Sequence, residues 1–276
     1  MSRLTKFLRG LRPKTPKVIR RIVNPRGEAV KKCSFLDAQQ SGWFNEEQGE
    51  LFSGFAIRPE DTFLDVGCGD GGASIFAARQ GCAVISTDVL PEKIEQLAKR
   101  LERTTARSVR CEVSNSNPLP VADSSVTRVV CTEVMEHVPD PEQFIRELAR
   151  VGAPNALYML TVPDPAAEHV QEKLAHPIYW APPHHVRIFS REQFGKLVTD
   201  AGLVIEKRDY YGFYWALWWT FFWAEDQELG EPEKPLLAAW SRTWSELLKR
   251  PQGARIKREL DNFMPKSQLI IARKAA

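Results

Sequence analysis

The sequence predicts an α/β fold with a mostly parallel sheet and helices on both faces. Three observations carry the prediction. From residue 61 to about 162, short apolar runs alternate with amphipathic helical stretches. The run Thr62–Val66 passes straight into a glycine-rich turn and then a helix. Two later segments, Asp140-Pro141-Glu142-Gln143 and Ser190-Arg191-Glu192-Gln193, carry the signature of a capped helix start.

Residues 1–33 read as an arm. The first 32 residues hold eleven Lys/Arg and one acid, Glu28, which leaves 27 basic and 34 acidic residues in the rest. Leu4, Phe7, Leu8 and Leu11 fall at helical spacing among Arg3, Lys6, Arg9 and Arg12. That pattern suits a short basic helix on an anionic membrane surface. It equally fits a mitochondrial transit peptide or a solvated tail. Residues 34–60 are expected as helix with loops. Strands are expected at Thr62–Val66, Ala83–Thr87, Ser108–Val113, Thr127–Thr132 and Ala156–Val162. Helices follow at Ala73–Gln80, after Pro91 (Ile94, Leu97, Ala98, Leu101 as the apolar stripe) and from Pro141 (Phe144, Leu148, Val151). Residues 163–187 read as a long connection rich in Pro and His. A helix striped by Phe194, Leu197, Val198 and Ala201 then stops at Gly202. Strands near Leu203–Arg208 and Gln268–Arg273 close the chain. Between them lies an insertion, about 212–265, that begins with YGFYWALWWTFFW and holds four of the eight tryptophans.

The composition, 43% hydrophobic and 26% charged, is that of a globular chain able to bury a core without staples. Five cysteines without CxxC or Cys/His spacing read as reduced, which points to a cytoplasmic protein. The aromatic stretch spans roughly 20 Å as a helix, too short for the ~30 Å hydrocarbon layer. It reads as core, as an acceptor wall, or as an interfacial surface working with the basic arm.

The strongest motif is Phe63-Leu64-Asp65-Val66-Gly67-Cys68-Gly69-Asp70-Gly71-Gly72. It satisfies GxGxxG, which by itself would also suit NAD. Asp65 and Asp70 argue against a pyrophosphate, which wants bare N–H groups and positive charge. They suit a cationic ligand such as S-adenosylmethionine (SAM), with its sulfonium and ammonium groups. Asp88 ends the next strand, where an acid can accept from ribose hydroxyls.

This turn resembles the first motif of the class I SAM-dependent methyltransferases. Cys131-Thr132-Glu133-Val134-Met135-Glu136-His137-Val138-Pro139-Asp140-Pro141 is similar to the segment after the fourth strand in the branch containing the ubiquinone and menaquinone methyltransferases. Leu119-Pro120…Asp123-Ser124-Ser125 is similar to the loop leading into that strand, and Pro183-His184-His185-Val186-Arg187-Ile188-Phe189-Ser190 resembles the segment that often precedes the helix before strand six. The resemblance implies a Rossmann-like seven-stranded, mostly parallel sheet, with an aromatic-rich helical insertion between the last two strands, as one domain over 34–276. It implies that Asp65, Gly67, Cys68 and Gly69 hold the methionine end of SAM. Asp88 would take the ribose, Val89 the adenine face, and Asn115 with Ser116 the adenine edge, with Glu112 a rival for that place. Thr132 and Glu133 would line the methionine side. Thr127 stands where many members have Asp and so has no familiar role.

Methyl transfer to a neutral hydroxyl or carbon acid needs a base. His137 and His185 are the catalytic candidates, with His184 as a neighbour and Arg187 orienting the acceptor or binding an anionic group. A structural reading of each histidine stays open. His184, His185 and Glu133 have no recognised ligand spacing, so no metal is expected. The expected function is methyl transfer to a small apolar or lipid-linked acceptor, with oxygen favoured over nitrogen or carbon. A non-catalytic SAM-binding subunit at a membrane and an NAD-dependent oxidoreductase are the alternatives. No nucleic-acid partner is expected.

Overall fold

The computed structural model describes residues 28–228 and 231–276. The amphipathic stretch from Leu4 to Leu11 lies outside the described residues. The described chain opens with helix α1 (Glu28–Gln40), followed by three short antiparallel strands, β1 (Trp43–Asn45), β2 (Glu50–Phe52) and β3 (Phe55–Ala56). Helix over 34–60 is therefore correct only to Gln40. Beyond it, Gly54 at φ +90° turns the chain between Phe52 and Phe55, and those two rings are buried in the core. The boundary expected at residue 33 falls inside α1, where Val30 and Cys33 are buried.

The main sheet follows in alternation with helices: β4 (Thr62–Val66), α2 (Gly72–Arg79), β5 (Ala83–Asp88), α3 (Pro91–Leu101), β6 (Ser108–Val113), β7 (Val126–Thr132), α4 (Pro141–Val151) and β8 (Gly152–Pro163). Then come α5 (Pro165–Gln171), a 3₁₀ turn (Pro177–Trp180), α6 (Arg191–Asp200) and β9 (Leu203–Tyr211). Helices α7 (Phe213–Ala224), α8 (Pro235–Leu248) and α9 (Gly253–Phe263) precede β10 (Ser267–Lys274). The seven strands lie in the order β6-β5-β4-β7-β8-β10-β9, with β10 antiparallel to both neighbours. Each of the seven strands expected from sequence is present, and β8 and β9 run longer than expected.

The caps explain the helix positions. Asp140 accepts from the Gln143 backbone N–H at 2.9 Å, with Pro141 in the first turn. The Gln143 side chain reaches Asn117 instead of closing the box. Ser190 and Gln193 form a complete capping box on α6. Asp164-Pro165 repeats the Asp140-Pro141 grammar and starts α5, inside the stretch expected to be an irregular connection. Thr127 has a structural role: its hydroxyl donates to Asp61 at 2.7 Å and accepts from the Thr62 N–H at 3.1 Å, joining the starts of β7 and β4.

The sheet buries a core on each face. One holds Phe144, Leu148, Phe194 and Val198 from α4 and α6. The other holds Phe76 and Leu97 from α2 and α3 with Phe52 and Phe55 of the small sheet. A third core joins α1 to α7, α8 and α9. Here the aromatic stretch settles: Tyr214, Trp218 and Phe222 are fully or nearly buried, and Phe213 meets Trp244 at 5.6 Å between ring centres. No described helix is long and apolar enough to cross a membrane.

A buried ion group ties this core together. Lys257 Nζ lies 3.1 Å from Asp37 and 2.5 Å from Asp261. Asp37 also accepts from the Trp244 indole at 2.7 Å, and Asp261 accepts from the Phe213 N–H at 2.8 Å. Four helices thus share one charge-paired knot. Asp37→Ala is expected to cost about 1–3 kcal/mol in urea denaturation, because the buried Trp244 indole loses its acceptor while Lys257 keeps Asp261.

Candidate active site

The glycine turn lies at the C-terminal ends of β4 and β5. Gly67 has φ +71°, and a Cβ there would sit 2.4 Å from Val134 Cγ2. Only glycine meets both constraints. The Gly67 and Cys68 N–H groups both donate to Thr87 O at 2.9 Å, which locks the turn to β5. The Cys68 sulfur packs into the core, so its share in the turn is its backbone. A Cβ on Gly69 would meet nothing within 4 Å, so the turn is open on that side.

The acids of the motif divide into separate jobs. Asp65 is buried and accepts from the Ser74 hydroxyl at 2.6 Å and the Ser74 N–H at 3.2 Å. Its hydrogen bonds go to the first turn of α2, so it braces the turn expected to hold the methionine end. Asp70 pairs with Lys93 at 2.5 Å, so its charge is spent on α3 and gives no argument against a dinucleotide. Asp88 accepts from the Gly69 N–H at 2.9 Å and the Leu90 N–H at 2.9 Å. Its two oxygens keep lone pairs for ligand hydroxyls. Next to it Val89 is 61% exposed. Val89 lines a cavity of 390 Å³ with Val113, Ser114, Asn115, Pro118 and Pro120. Ser116 is buried at φ +60°, and its N–H donates to Ser114. Glu112, the rival to Asn115, is paired with Arg110 on the outer strand. The open face at Gly69, the carboxylate of Asp88 and the apolar cavity beyond it fit the amino-acid, ribose and base parts of SAM.

A second, buried polar group lies beyond β7. Thr132 is half-buried at the strand end. Glu133 accepts from the Thr161 hydroxyl at 3.0 Å and pairs with Lys266 at 3.1 Å. His185 Nδ1 lies 2.7 Å from Glu168 Oε2. His137 and His185 meet edge to face at 4.9 Å. Glu136 is 1% exposed, and neither of its carboxylate oxygens has a hydrogen-bond partner. Burial, reinforced by Glu133, holds its pKa well above the carboxylate range. Burial also lowers the pKa of His137, aided by the nearby His185. Tyr179 covers the group, with its ring 4.5 Å from His185 and 5.1 Å from Trp223.

Both candidate histidines therefore meet, and His185 rather than His184 faces the cluster. Arg187 does not join them. It donates to Pro139 O at 2.9 Å and lines a separate 400 Å³ cavity between α4 and α6. Glu136, Glu168, Tyr179 and Lys266 escape the sequence reading. The Asp164-Pro165 helix start would have placed Glu168 on a helix, and Glu133-x-x-Glu136 spacing puts two acids one turn apart. Lys266 leaves no local signal.

A mostly parallel seven-stranded sheet and a glycine turn with an acid closing the next strand are the frame of the class I SAM-dependent methyltransferases. The profile of the family described as "Methyltransferase domain" matches residues 32–208, and the chain belongs to that family. A probable S-adenosylmethionine-dependent methyltransferase of Mycobacterium tuberculosis is 33% identical over 144 residues, 51% of this chain and 48% of that protein. A ubiquinone biosynthesis O-methyltransferase of Xanthomonas oryzae pv. oryzae is 35% identical over 99 residues, 36% of this chain and 41% of that protein. The chain thus spans less than half the length of either relative. In fold it is similar to geranyl diphosphate C-methyltransferase from Streptomyces coelicolor A3(2), solved with S-adenosyl-L-homocysteine, at TM-score 0.57 and 19% identity, covering 91% of this chain and 86% of that one.

Asp65 makes a testable link between the turn and stability. Burial, opposed by the Ser74 hydrogen bonds, raises its pKa from 3.8 to about 6. The folded state then holds the proton more tightly than the unfolded chain. Stability is fullest below the unfolded value and falls as pH rises through about 6. Asp65→Asn should flatten that decline by on the order of 3 kcal/mol in denaturation curves taken across the window.

Proposed function

We propose that this protein transfers the methyl group of SAM to a hydroxyl oxygen of a small, largely apolar acceptor. The observation that carries this reading is the buried group of Glu136, His137 and His185 under an aromatic wall, adjoining the glycine turn through Val134. When bound, SAM supplies an electrophilic methyl with a good leaving group, so the chain's task is alignment. Asp88 would accept from the ribose hydroxyls, and Val89 with the cavity at Val113 and Asn115 would take the base. The Asn115 side-chain oxygen can also accept from the adenine amino group.

Tyr179, Trp180 and Trp223 offer aromatic faces to an apolar acceptor. The indole N–H groups of Trp180 and Trp223 are buried without partners and can donate to a polar group on it. A hydroxyl must shed its proton to attack, whereas a neutral amine already has a free lone pair. An acid- and imidazole-rich chamber therefore favours oxygen as the acceptor atom. The basic residues at 1–32 favour an acceptor carried on a lipid at an anionic membrane surface. Membership of a methyltransferase family leaves the oxidoreductase alternative without support.

The test is incubation of the full chain with methyl-labelled SAM and a lipid extract. Label is expected in a methyl ether. Calorimetry with S-adenosylhomocysteine should find Asp88→Ala weakened about tenfold or more. His185→Ala should lower kcat with that affinity unchanged. Label in an amine or a carbon skeleton instead would reassign the acceptor atom, and no transfer by the wild type would overturn the reading.

A further inference from the structure

We infer that Glu136, His137 and His185 form a binding site for a divalent transition-metal ion of the zinc class. One ligand atom from each lies within 4.8 Å of the others. His137 Nε2 is 3.6 Å and His185 Nε2 is 4.0 Å from Glu136 Oε1. These separations are too long for hydrogen bonds. They are close to the roughly 3.4 Å between neighbouring ligands of a tetrahedral ion bound at about 2.1 Å. The three groups are too far apart to hydrogen-bond one another, and small side-chain adjustments would bring one atom of each to a shared ion.

The unmet demand is that of Glu136. It is 1% exposed, and both of its oxygens lack partners. A buried carboxylate in that condition is costly unless a cation or a proton offsets it. Lys266 does not meet that demand, since its ammonium contacts Glu133 at 3.1 Å and Glu168 at 4.0 Å.

The histidines are prepared for the same role. Glu168 at 2.7 Å from His185 Nδ1 makes that nitrogen the donor and leaves Nε2 as the lone-pair face. A carboxylate behind a ligating imidazole is the usual outer support of a metal site. The Tyr179 hydroxyl donates to that Nε2 at 3.3 Å, a long bond that an ion at the same lone pair would displace. Two imidazoles and a carboxylate suit zinc better than magnesium or calcium, which prefer all-oxygen sets. Three protein ligands leave a position open, the pattern of catalytic rather than structural zinc. This replaces the sequence expectation of no metal.

The role of the ion rests on the function proposed above: an acceptor hydroxyl at the open position would lose its proton to bulk water more readily. The binding does not rest on it. The experiment uses the full chain, untagged and stripped with chelator, with Co²⁺ as the spectroscopic probe and Zn²⁺ measured by elemental analysis. Near one equivalent of either ion per chain is expected, with visible cobalt bands. Glu136→Gln and His185→Ala should abolish them, and Glu168→Gln should weaken binding about 10–100-fold. Circular dichroism reports folding, and if Glu136→Gln does not fold, His137→Ala is read in its place. Stripped wild type that takes up neither ion, or folded Glu136→Gln that binds as tightly as wild type, overturns the site. If cobalt binds but no acceptor is methylated, the site stands and the acceptor reading falls. If methylation proceeds and no cobalt binds, the site falls alone.

Discussion

The largely buried ammonium of Lys266 links two acids of the site, Glu133 and Glu168. Burial works against its charge, and Glu133, Glu168 and Glu136 more than offset that, so its pKa lies above the ordinary value. Glu168 answers in kind. Burial would raise its pKa, but the hydrogen bond to His185 and the charge of Lys266 hold it below the usual range. Without this cation, Glu133 and Glu168 would lose the ammonium they share. The position of Lys266 is set by strand register. Its N–H donates to Tyr211 O at 3.0 Å, and its carbonyl accepts from the Asp164 N–H at 2.9 Å. The next residue, Ser267, pairs with both Tyr211 and Pro163. The antiparallel insertion of β10 between β8 and β9 is what delivers a charge from the end of the chain to acids near its middle.

The same register sets the aromatic helix. Because β9 ends at Tyr211 and β10 begins at Ser267, the three helices between them start and finish at one edge of the sheet. Most of α7 is consumed in packing against α1 and α8. Its far end is different. Trp223 reaches Tyr179, and Tyr179 reaches His185, so one helix is core at its start and chamber wall at its end. A helix apolar on every side can do this, since one face needs the core and another can meet a ligand without a polar penalty.

The glycine turn shows economy in its carboxylates. Asp65 braces the helix that follows and Asp70 is neutralised by Lys93, so of the acids in the motif region only Asp88 is turned toward the open face of Gly69. A cationic ligand does not need every nearby acid. It needs a turn that does not move and one acceptor in the right place. The double hydrogen bond from Gly67 and Cys68 to Thr87 supplies the first.

The sequence by itself determined the sheet, the glycine turn and the capped helices. These depend on periods of two and 3.6 residues, on positive φ at glycine, and on caps three residues long, all of which are local. It also singled out His137, His185 and Asp88. It did not determine that 43–56 would form a small sheet, because those strands are two or three residues long and show no period. It missed α5, although Asp164-Pro165 announced it. Only the tertiary structure decided that Glu136, Glu168, Tyr179 and Lys266 share one buried chamber, that Arg187 stands apart from it, and that the tryptophan helix is mainly core. These facts depend on contacts between segments far apart in the chain, such as Glu133 with Lys266, 133 residues apart, and Asp37 with Trp244, 207 apart. No local pattern encodes which buried charge will find which partner. That is settled only when the strands take their order and distant segments are brought together.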